Sequence, residues 1–567
     1  MLQICSGKMF QREVEYRNNL RGVLYTNLRL NRETKICTSA GSILATSSIG
    51  ELSNALVYEL EELIESNGQG PGTLISHNID TYANDFSAII SFALNCTASP
   101  SYTLTDRLLG NKRGLSTYIS PRQAVAKVFD KDVYCTPNDE EYLVKFTKQL
   151  IGLERSTYLA VMGAIRTYVT GMHRLAEDYE LAYTLLVASI ESLAQTFDGH
   201  QSTWQDYDQN KRRIIDSALS EAGTDTTSKV RDAILSIEHT SLGRRFKDFS
   251  INHISKSFYR EEAAGIESPI SRYDLPKALA NAYQARSQYI HKLRKLPNQL
   301  TTLNSHTETC RIDNKTWLTI QGLSRLARHV ITDFMMNQPT VEKENYDYSL
   351  ERSGIVQMKL APEYWVHKIH FFHGAGSMKL EGFLSQLANR MTTGSAATLT
   401  DLTELLTALE KQIDKLKKED KQAFTALYII FNGLDSQEQK LKNSTSFIRR
   451  HQEQLIKPSS ESLIVNLLFG VTPDWTLEEH HQCLVDYFKK RDNKLKFRCP
   501  TLFETGLILE LAERYRLAGS LETAISLINM AVENHPAHVH LRNFEAKFLD
   551  EEKNINWRNI LLPTEED

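Results

Sequence analysis

The sequence has few cysteines, and their arrangement suits neither a metal site nor a disulfide framework. Seven cysteines are scattered over 567 residues, and no two of them form a Cys-x-x-Cys pair. An odd, dispersed set of this kind argues against a disulfide-stabilised fold and against a cysteine zinc site. We therefore expect a cytoplasmic protein, because thiols stay reduced in that compartment.

Long apolar runs and several common catalytic motifs are also absent. The opening segment, Met1 to Lys8, lacks the apolar core of a signal peptide, and no later window reaches the roughly 18 apolar residues of a membrane span. A Walker loop, a His-Glu-x-x-His pair and a Gly-x-Ser-x-Gly elbow are all missing. The sequence thus predicts a soluble protein and does not support a P-loop, zinc-peptidase or serine-hydrolase function.

The composition is that of an ordinary folded protein, with 41% hydrophobic and 24% charged residues and a formal net charge of −4. With this net charge, any binding of nucleic acid must come from local basic patches. The length predicts about three domains. The hydrophobic pattern places their boundaries near residues 141 and 338, so that the predicted domains are 1–141, 142–338 and 339–567.

Residues 1–141 are expected to form an α+β domain. Alternating and β-branched residues predict strands at 22–30 and 35–39. A helix is expected within 51–66, before a glycine-rich breaker at 67–72, and a further strand at 87–94.

From residue 142 onward the periodicity is helical, which predicts a mainly α protein with a central helical bundle. Helices are expected at 153–175, at 181–197, in several short pieces within 199–271, at 274–297 and at 317–336. The helix at 274–297 starts at an Asp-x-Pro signal and stops at Pro297.

The C-terminal region, 339–567, is also predicted to be helical. Small and apolar residues at fixed spacing in 508–536 match the tetratricopeptide (TPR) pattern of two packed helices ended by a proline: Leu511, Ala512, Tyr515, Gly519, Ala524, Ile528, Ala531 and Pro536. One such unit cannot bury its apolar face alone, so degenerate helical pairs are expected to precede it from about residue 360.

The candidate active site lies on the predicted helix 274–297, in the run Tyr283-Gln-Ala-Arg286-Ser287-Gln-Tyr-Ile-His291. A second element, Ala188-Ser-Ile-Glu191-Ser-Leu193, lies on the most apolar predicted helix. An acid on such a helix needs a partner, because an unpaired buried carboxylate is costly. Arg286 is the natural partner for Glu191.

These two elements resemble the Tyr-x-x-Arg-Ser-x-x-x-His and Glu-Ser-Leu segments of the HEPN superfamily, and of its ApeA-like anti-phage branch in particular. The resemblance implies a metal-independent endoribonuclease that needs no cofactor and that acts as a toxic effector in bacterial defence. It assigns His291 as acid and base, Arg286 as phosphate clamp, Glu191 as orienting acid and Ser287 as a polar helper. It also implies a homodimer, in which two such helices face each other.

The chemistry is simple enough for these residues. The 2′-hydroxyl of RNA attacks the neighbouring phosphate, a histidine moves protons near neutral pH, and an arginine stabilises the charged phosphorane. Basic clusters in the same region are candidates for contacts to the RNA backbone: Lys211, Arg212, Arg244, Arg245, Arg294 and Lys295.

Three alternatives remain open at the level of the sequence. Arg166 and His173 satisfy a similar Arg-x6-His pattern, so at least one of the two pairs is expected to be accidental. His367, His370 and His373 recur every third residue, although metal-binding histidines on a helix are usually four apart. Finally, the chain could be a non-catalytic helical scaffold whose TPR-like region binds a protein partner.

Overall fold

The structure is a computed structural model, in which the chain forms two compact units, Met1–Val356 and Gln357–Asp567. Each unit is described by itself below. The structure describes residues 1–31, 34–49, 53–66, 76–110, 113, 119–197, 199, 203–207, 209–237, 242–302, 305–352, 355–356, 358–393, 398–434, 441–493, 496–548 and 553–563.

The first unit combines a sheet near the N-terminus with a helical bundle. Its strands are β1 (Val14–Thr26), β2 (Leu28–Arg29), β3 (Lys35–Thr38), β4 (Gly41–Ile49), β5 (Ser53–Glu65), β6 (Ala98–Ser99), β7 (Val133–Tyr134), β8 (Thr309–Ile312) and β9 (Lys315–Leu318). Its helices are α1 (Leu2–Cys5), α2 (Asp80–Leu94), α3 (Tyr102–Leu109), α4 (Pro121–Ala124), α5 (Pro137–Gly152), α6 (Arg155–Arg174), α7 (Tyr179–Phe197), α8 (Gln209–Ala218), α9 (Thr224–Ile237), α10 (Leu242–Asn252), α11 (Leu275–Lys292), α12 (Asn298–Thr302) and α13 (Ile320–Met336).

The main sheet is antiparallel, with the strand order β3-β4-β5-β1-β6. Its centre is β5, which pairs with both β4 and β1, so the helix predicted within 51–66 is wrong. Leu56, Leu60 and Ile64 satisfied the helical period. In the strand, however, buried and less buried side chains alternate from Val57 onward, because successive side chains of a strand point to opposite faces of the sheet. The predicted breaker at 67–72 lies outside the described residues.

The strand predicted at 87–94 is also wrong, because these residues form the second half of α2. This helix is covered on nearly every side. Phe86 stacks on Tyr58 of the sheet at a ring distance of 4.5 Å, and Phe92 meets Tyr168 of α6 at 5.1 Å. A short run that is apolar on all sides does not distinguish a buried helix from a buried strand.

The helices predicted for the central region are present with small shifts, and the strands at 22–30 and 35–39 fall in β1 to β3. The predicted helices 153–175 and 181–197 are α6 and α7. The helix at 274–297 is α11, which ends earlier, at Lys292, because Leu293 adopts a left-handed backbone (φ 49°). The helix expected from residue 317 begins at Ile320, since the β8–β9 hairpin precedes it and the Thr319 side chain caps the first turn.

One apolar core runs from the sheet into these helices. The coarse fold class is therefore confirmed: the described residues are mostly helical, with a sheet near the N-terminus and a helical array at the C-terminus. The domain division at residues 141 and 338 stays a prediction, and its first boundary falls within α5. In the described part of the chain, no helix is both long enough and apolar enough to cross a membrane.

The second unit is a helical array with its own apolar core. Its helices are α14 (Gly376–Thr393), α15 (Thr403–Glu410), α16 (Lys418–Leu434), α17 (Ser444–His451), α18 (Ser460–Phe469), α19 (Leu477–Lys490), α20 (Thr501–Leu517), α21 (Leu521–Asn534), α22 (Val539–Phe548) and α23 (Trp557–Leu561). The helical pair predicted at 508–536 corresponds to α20 and α21, two helices joined by a short turn. Gly519 takes the left-handed φ of 79° in its turn, and Ala512, Ala524 and Ala531 are buried.

We expect Phe86→Ala to destabilise the first unit, because Phe86 is fully buried between α2 and the sheet. The loss should be about 3–5 kcal/mol, as for other buried phenylalanines. Urea unfolding followed by circular dichroism measures it, with the exposed Tyr273→Ala as a control that should change the free energy of unfolding by less than about 0.5 kcal/mol. Similar midpoints for both variants would contradict the described core.

Candidate active site

Glu191 lies near the C-terminal end of α7, and its side chain is only 4% exposed. The helix is apolar around most of its circumference, with Val187, Ile190 and Ala194 among its buried residues. A carboxylate in such surroundings is stable only when charged or hydrogen-bonding partners surround it.

Both partners of Glu191 come from α11. Nη2 of Arg286 lies 2.7 Å from Oε2 of Glu191, and the hydroxyl of Tyr283 donates a hydrogen bond to Oε1 at 2.9 Å. Tyr283 and Arg286 are three residues apart, so they lie on the same face of the helix. We call Glu191, Tyr283 and Arg286 the Glu191 cluster; it contains the pair expected from the sequence.

The surroundings of Tyr283 keep its hydroxyl protonated, so that it can donate a hydrogen bond to Glu191. Burial, together with the charge of Glu191 and their hydrogen bond, raises the pKa of Tyr283 above its ordinary value, so the phenol stays protonated. The guanidinium carbon of Arg286 also lies 5.7 Å from the centre of the Tyr283 ring. The Arg286 side chain as a whole is 22% exposed, while its Nε is buried and has no hydrogen-bond partner among the described residues.

Helix α10 covers the cluster, which the sequence did not predict. Phe246 packs on the Tyr283 ring at 5.5 Å, and Nη2 of Arg245 donates to the carbonyl of Gln195 on α7 at 2.9 Å. A side chain at Gly243 would place its Cβ 2.9 Å from Cδ1 of Tyr283, so only glycine allows this close approach. The signal available in the sequence was a glycine directly before a basic and aromatic run.

His291 lies in the last turn of α11 and is exposed. Five residues separate it from Arg286, which places the two about 140° apart around an ideal helix. Ser287 lies between them and is half-buried. The end of the helix is anchored by Tyr289, whose hydroxyl donates to Asp178 at 3.2 Å. One copy of α11 therefore does not direct both side chains toward the same phosphate.

The rival pair, Arg166 and His173, has a different environment. Arg166 is paired with Asp85 of α2 at 2.6 Å, and the same carboxylate lies 3.4 Å from the amino group of Met1. Burial, with a smaller contribution from the charge of Arg174, lowers the pKa of His173 to about 4, so it stays neutral at physiological pH. The structure thus connects Arg286, and not Arg166, to Glu191.

The predicted RNA contacts fall on three elements. Arg244 and Arg245 lie on α10, next to the Glu191 cluster, while Arg294 and Lys295 are exposed just after His291. Lys211 and Arg212 lie on α8, where the Lys211 ammonium is 5.3 Å from the Tyr207 ring centre. Arg244, Arg245, Arg294 and Lys295 therefore lie near α11, whereas the structure does not place Lys211 and Arg212 there.

A second polar cluster joins α13 to the segment after α10, and the sequence did not predict it. Nδ1 of His329 lies 2.8 Å from Glu262, and Oγ of Ser255 lies 3.3 Å from Nε2 of His329. These distances resemble a Ser-His-Glu triad. However, the backbone N–H of Ser255 already donates to Nε2 at 3.1 Å, which occupies the lone pair that a general base needs. The cluster holds this segment onto α13.

The three histidines at 367, 370 and 373 are exposed and lie before α14 rather than along a helix. Among the described residues, no group of three His, Cys, Asp or Glu side chains is placed to hold a metal ion.

Comparisons with known proteins found no match of any kind: no family model, no curated protein and no solved structure is significantly similar to this chain.

We expect Arg286→Ala to destabilise the protein more than the double variant Arg286→Ala/Glu191→Gln. The single change leaves a buried carboxylate without its cation, at a cost of about 3–5 kcal/mol. The second change removes that charge and keeps an acceptor for Tyr283. Urea unfolding measures both, with Arg244→Ala as a control at an exposed arginine of α10. Equal losses for the single and double variants would show that the ion pair does not stabilise the bundle.

Proposed function

We propose that this protein is a metal-independent endoribonuclease of the HEPN type, with Arg286 and His291 at its active site. The observation that supports the proposal is the 2.7 Å ion pair between Arg286 and Glu191. It joins two segments, 95 positions apart in the chain, that the HEPN motif associates with one site. Tyr283, which opens the motif three positions before Arg286, donates a hydrogen bond to the same carboxylate.

The roles follow from what each side chain contacts. Arginine carries five N–H donors, so Arg286 pairs with Glu191 through Nη2 and keeps further donors for a phosphate. Glu191 orients Arg286. His291, exposed at the end of α11, is free to remove a proton from the 2′-hydroxyl and to return one to the leaving 5′-oxygen. Ser287, one turn before His291, supplies a further hydrogen bond to the phosphate. Neither a metal nor a cofactor enters this scheme.

Arg286 and His291 of one copy point in different directions around α11, and a homodimer would still bring an arginine and a histidine to one phosphate. If two copies pack with their α11 helices facing, the arginine of one copy and the histidine of the other line one cleft. Ile290 and Leu293 flank His291 and are 49% and 78% exposed. Large exposed apolar side chains of this kind often mark a surface that another protein covers. We propose that α11 of a second copy packs on this surface.

The basic residues near α11 supply the attraction for RNA that the net charge of −4 does not. Among the six candidate residues, Arg244 and Arg245 lie on the neighbouring α10 and Arg294 and Lys295 follow α11 directly. Lys211 and Arg212 of α8 are proposed to extend the path. Each phosphate contact releases bound cations, so RNA binding should weaken as salt increases.

The proposed biological role is that of a cytoplasmic toxic effector in bacterial anti-phage defence, which the sheet region and the C-terminal array restrain or trigger. The alternative is a non-catalytic scaffold that binds a protein partner through a TPR-like surface. The packed pair α20 and α21 is the observation that favours this alternative.

We predict that the purified protein cleaves single-stranded RNA in the presence of a metal chelator and that His291→Ala abolishes cleavage. The loss should be at least about 100-fold, the usual contribution of a general acid or base. His370→Ala is the matched control, since His370 is also exposed and lies in the second unit. The readout is the rate of cleavage of a labelled RNA, with circular dichroism to check folding.

Equal cleavage by the His291→Ala variant and the wild type would exclude the catalytic assignment. No cleavage by any of the proteins, together with binding of a peptide by the second unit, would favour the scaffold.

We further predict that Ile290→Asp/Leu293→Asp converts a dimer into a monomer and lowers the cleavage rate. Two charges on the facing helices would have to be buried without partners. Sedimentation equilibrium measures the mass, and Tyr273→Asp is the control, because Tyr273 is exposed before α11 begins. A monomeric wild type that cleaves RNA at the same rate at every protein concentration would contradict the composite site.

A further inference from the structure

The first unit contains a cavity of about 850 Å³ that is distinct from the Glu191 cluster. Its walls come from the N-terminal segment at residues 6–8, from α5, from α13 and from residues 340–343. The volume is within the range of about 300–1,000 Å³ that is typical of small-molecule sites.

The walls are strongly basic. Lys8, Lys145, Lys148 and Lys343 line the cavity, against one acidic lining residue, Glu342. Lys145 and Lys148 are three residues apart, on the same face of α5. In the described ranges, Lys145, Lys148 and Lys343 are exposed and have no ion-pair or hydrogen-bond partner, so their ammonium groups are available to a ligand.

The floor of the cavity is well ordered by hydrogen bonds. The buried ammonium group of Lys8 donates to the carbonyls of Gly152 at 2.7 Å and of Leu153, at the end of α5. Gln149 connects α5 to the end of α13, with its Nε2 donating to the carbonyls of Met335 at 3.1 Å and of Gln338 at 2.8 Å. The lysines therefore project from a scaffold that is already in place before any ligand binds.

The remaining wall is aromatic and apolar. Tyr142, Met336 and Val341 line it. Burial raises the pKa of Tyr142, so its hydroxyl stays protonated and able to donate a hydrogen bond. Cations on one side and an aromatic ring on the other match a ligand with a phosphate group and a flat or apolar group.

We propose that this cavity binds an organic phosphate of about the size of a nucleotide, with the phosphates on Lys145, Lys148 and Lys343 and the organic part against Tyr142. An inorganic anion alone would leave the aromatic wall uncovered. An uncharged molecule would leave the lysines unpaired.

Isothermal titration of the full-length protein with ATP, pyrophosphate and adenosine tests the proposal. ATP should bind more tightly than pyrophosphate, adenosine should not bind, and the affinity for ATP should fall as salt is increased. Lys145→Ala/Lys148→Ala should weaken ATP binding by about tenfold or more, since each lysine contributes a charge-assisted hydrogen bond.

Two controls separate this cavity from other basic surfaces. Lys131→Ala/Lys256→Ala removes the same charge from exposed lysines outside the cavity and should leave ATP binding unchanged. His291→Ala should also leave it unchanged, which distinguishes the cavity from the proposed nuclease site. The proposal is overturned if ATP does not bind, if pyrophosphate binds as tightly as ATP, or if the Lys145/Lys148 variant retains wild-type affinity.

Discussion

The buried carboxylate of Glu191 is the constraint on which the arrangement of the helical bundle depends. A charge on an apolar helix is tolerated only with close partners, and α11 supplies both, through Arg286 and Tyr283. Together with the apolar residues that α11 buries, these contacts hold α11 against α7. Helix α10 then closes over the Tyr283 ring, where Gly243 allows its close approach. The same contacts that stabilise the bundle hold the proposed phosphate clamp in a single orientation.

The parts of the fold that were predictable are those where one physical signal dominates. Helices α6, α7 and α11 follow the helical period, and the pairing of Glu191 with Arg286 follows from the cost of an unpaired buried acid. Strand β5 and helix α2 were predicted incorrectly, since their apolar residues fit both periods and only the neighbouring sheet and helices decide between them. The cluster around His329 joins residues far apart in the chain, so no local pattern indicated it.

The candidate site itself was half predictable. The sequence offered two arginine–histidine pairs, and only their surroundings separate them: Arg166 is held by Asp85, whereas Arg286 meets Glu191. The divergence of Arg286 and His291 around α11 follows from helical geometry and explains why a second copy is part of the proposal. The exposed Ile290 and Leu293 beside His291 belong to the same explanation, because they form an apolar surface at the point where the second helix would pack.

The chemistry of the cleaved RNA ends tests the central claim most directly. A defined RNA is compared with the same RNA carrying a single 2′-deoxyribose at the mapped cleavage site, both with a metal chelator present. The account predicts 2′,3′-cyclic phosphate and 5′-hydroxyl ends on the first RNA and no cleavage at the substituted position of the second. A 3′-hydroxyl product, or unchanged cleavage of the substituted RNA, would contradict attack by the 2′-hydroxyl and the proposed roles of Arg286 and His291.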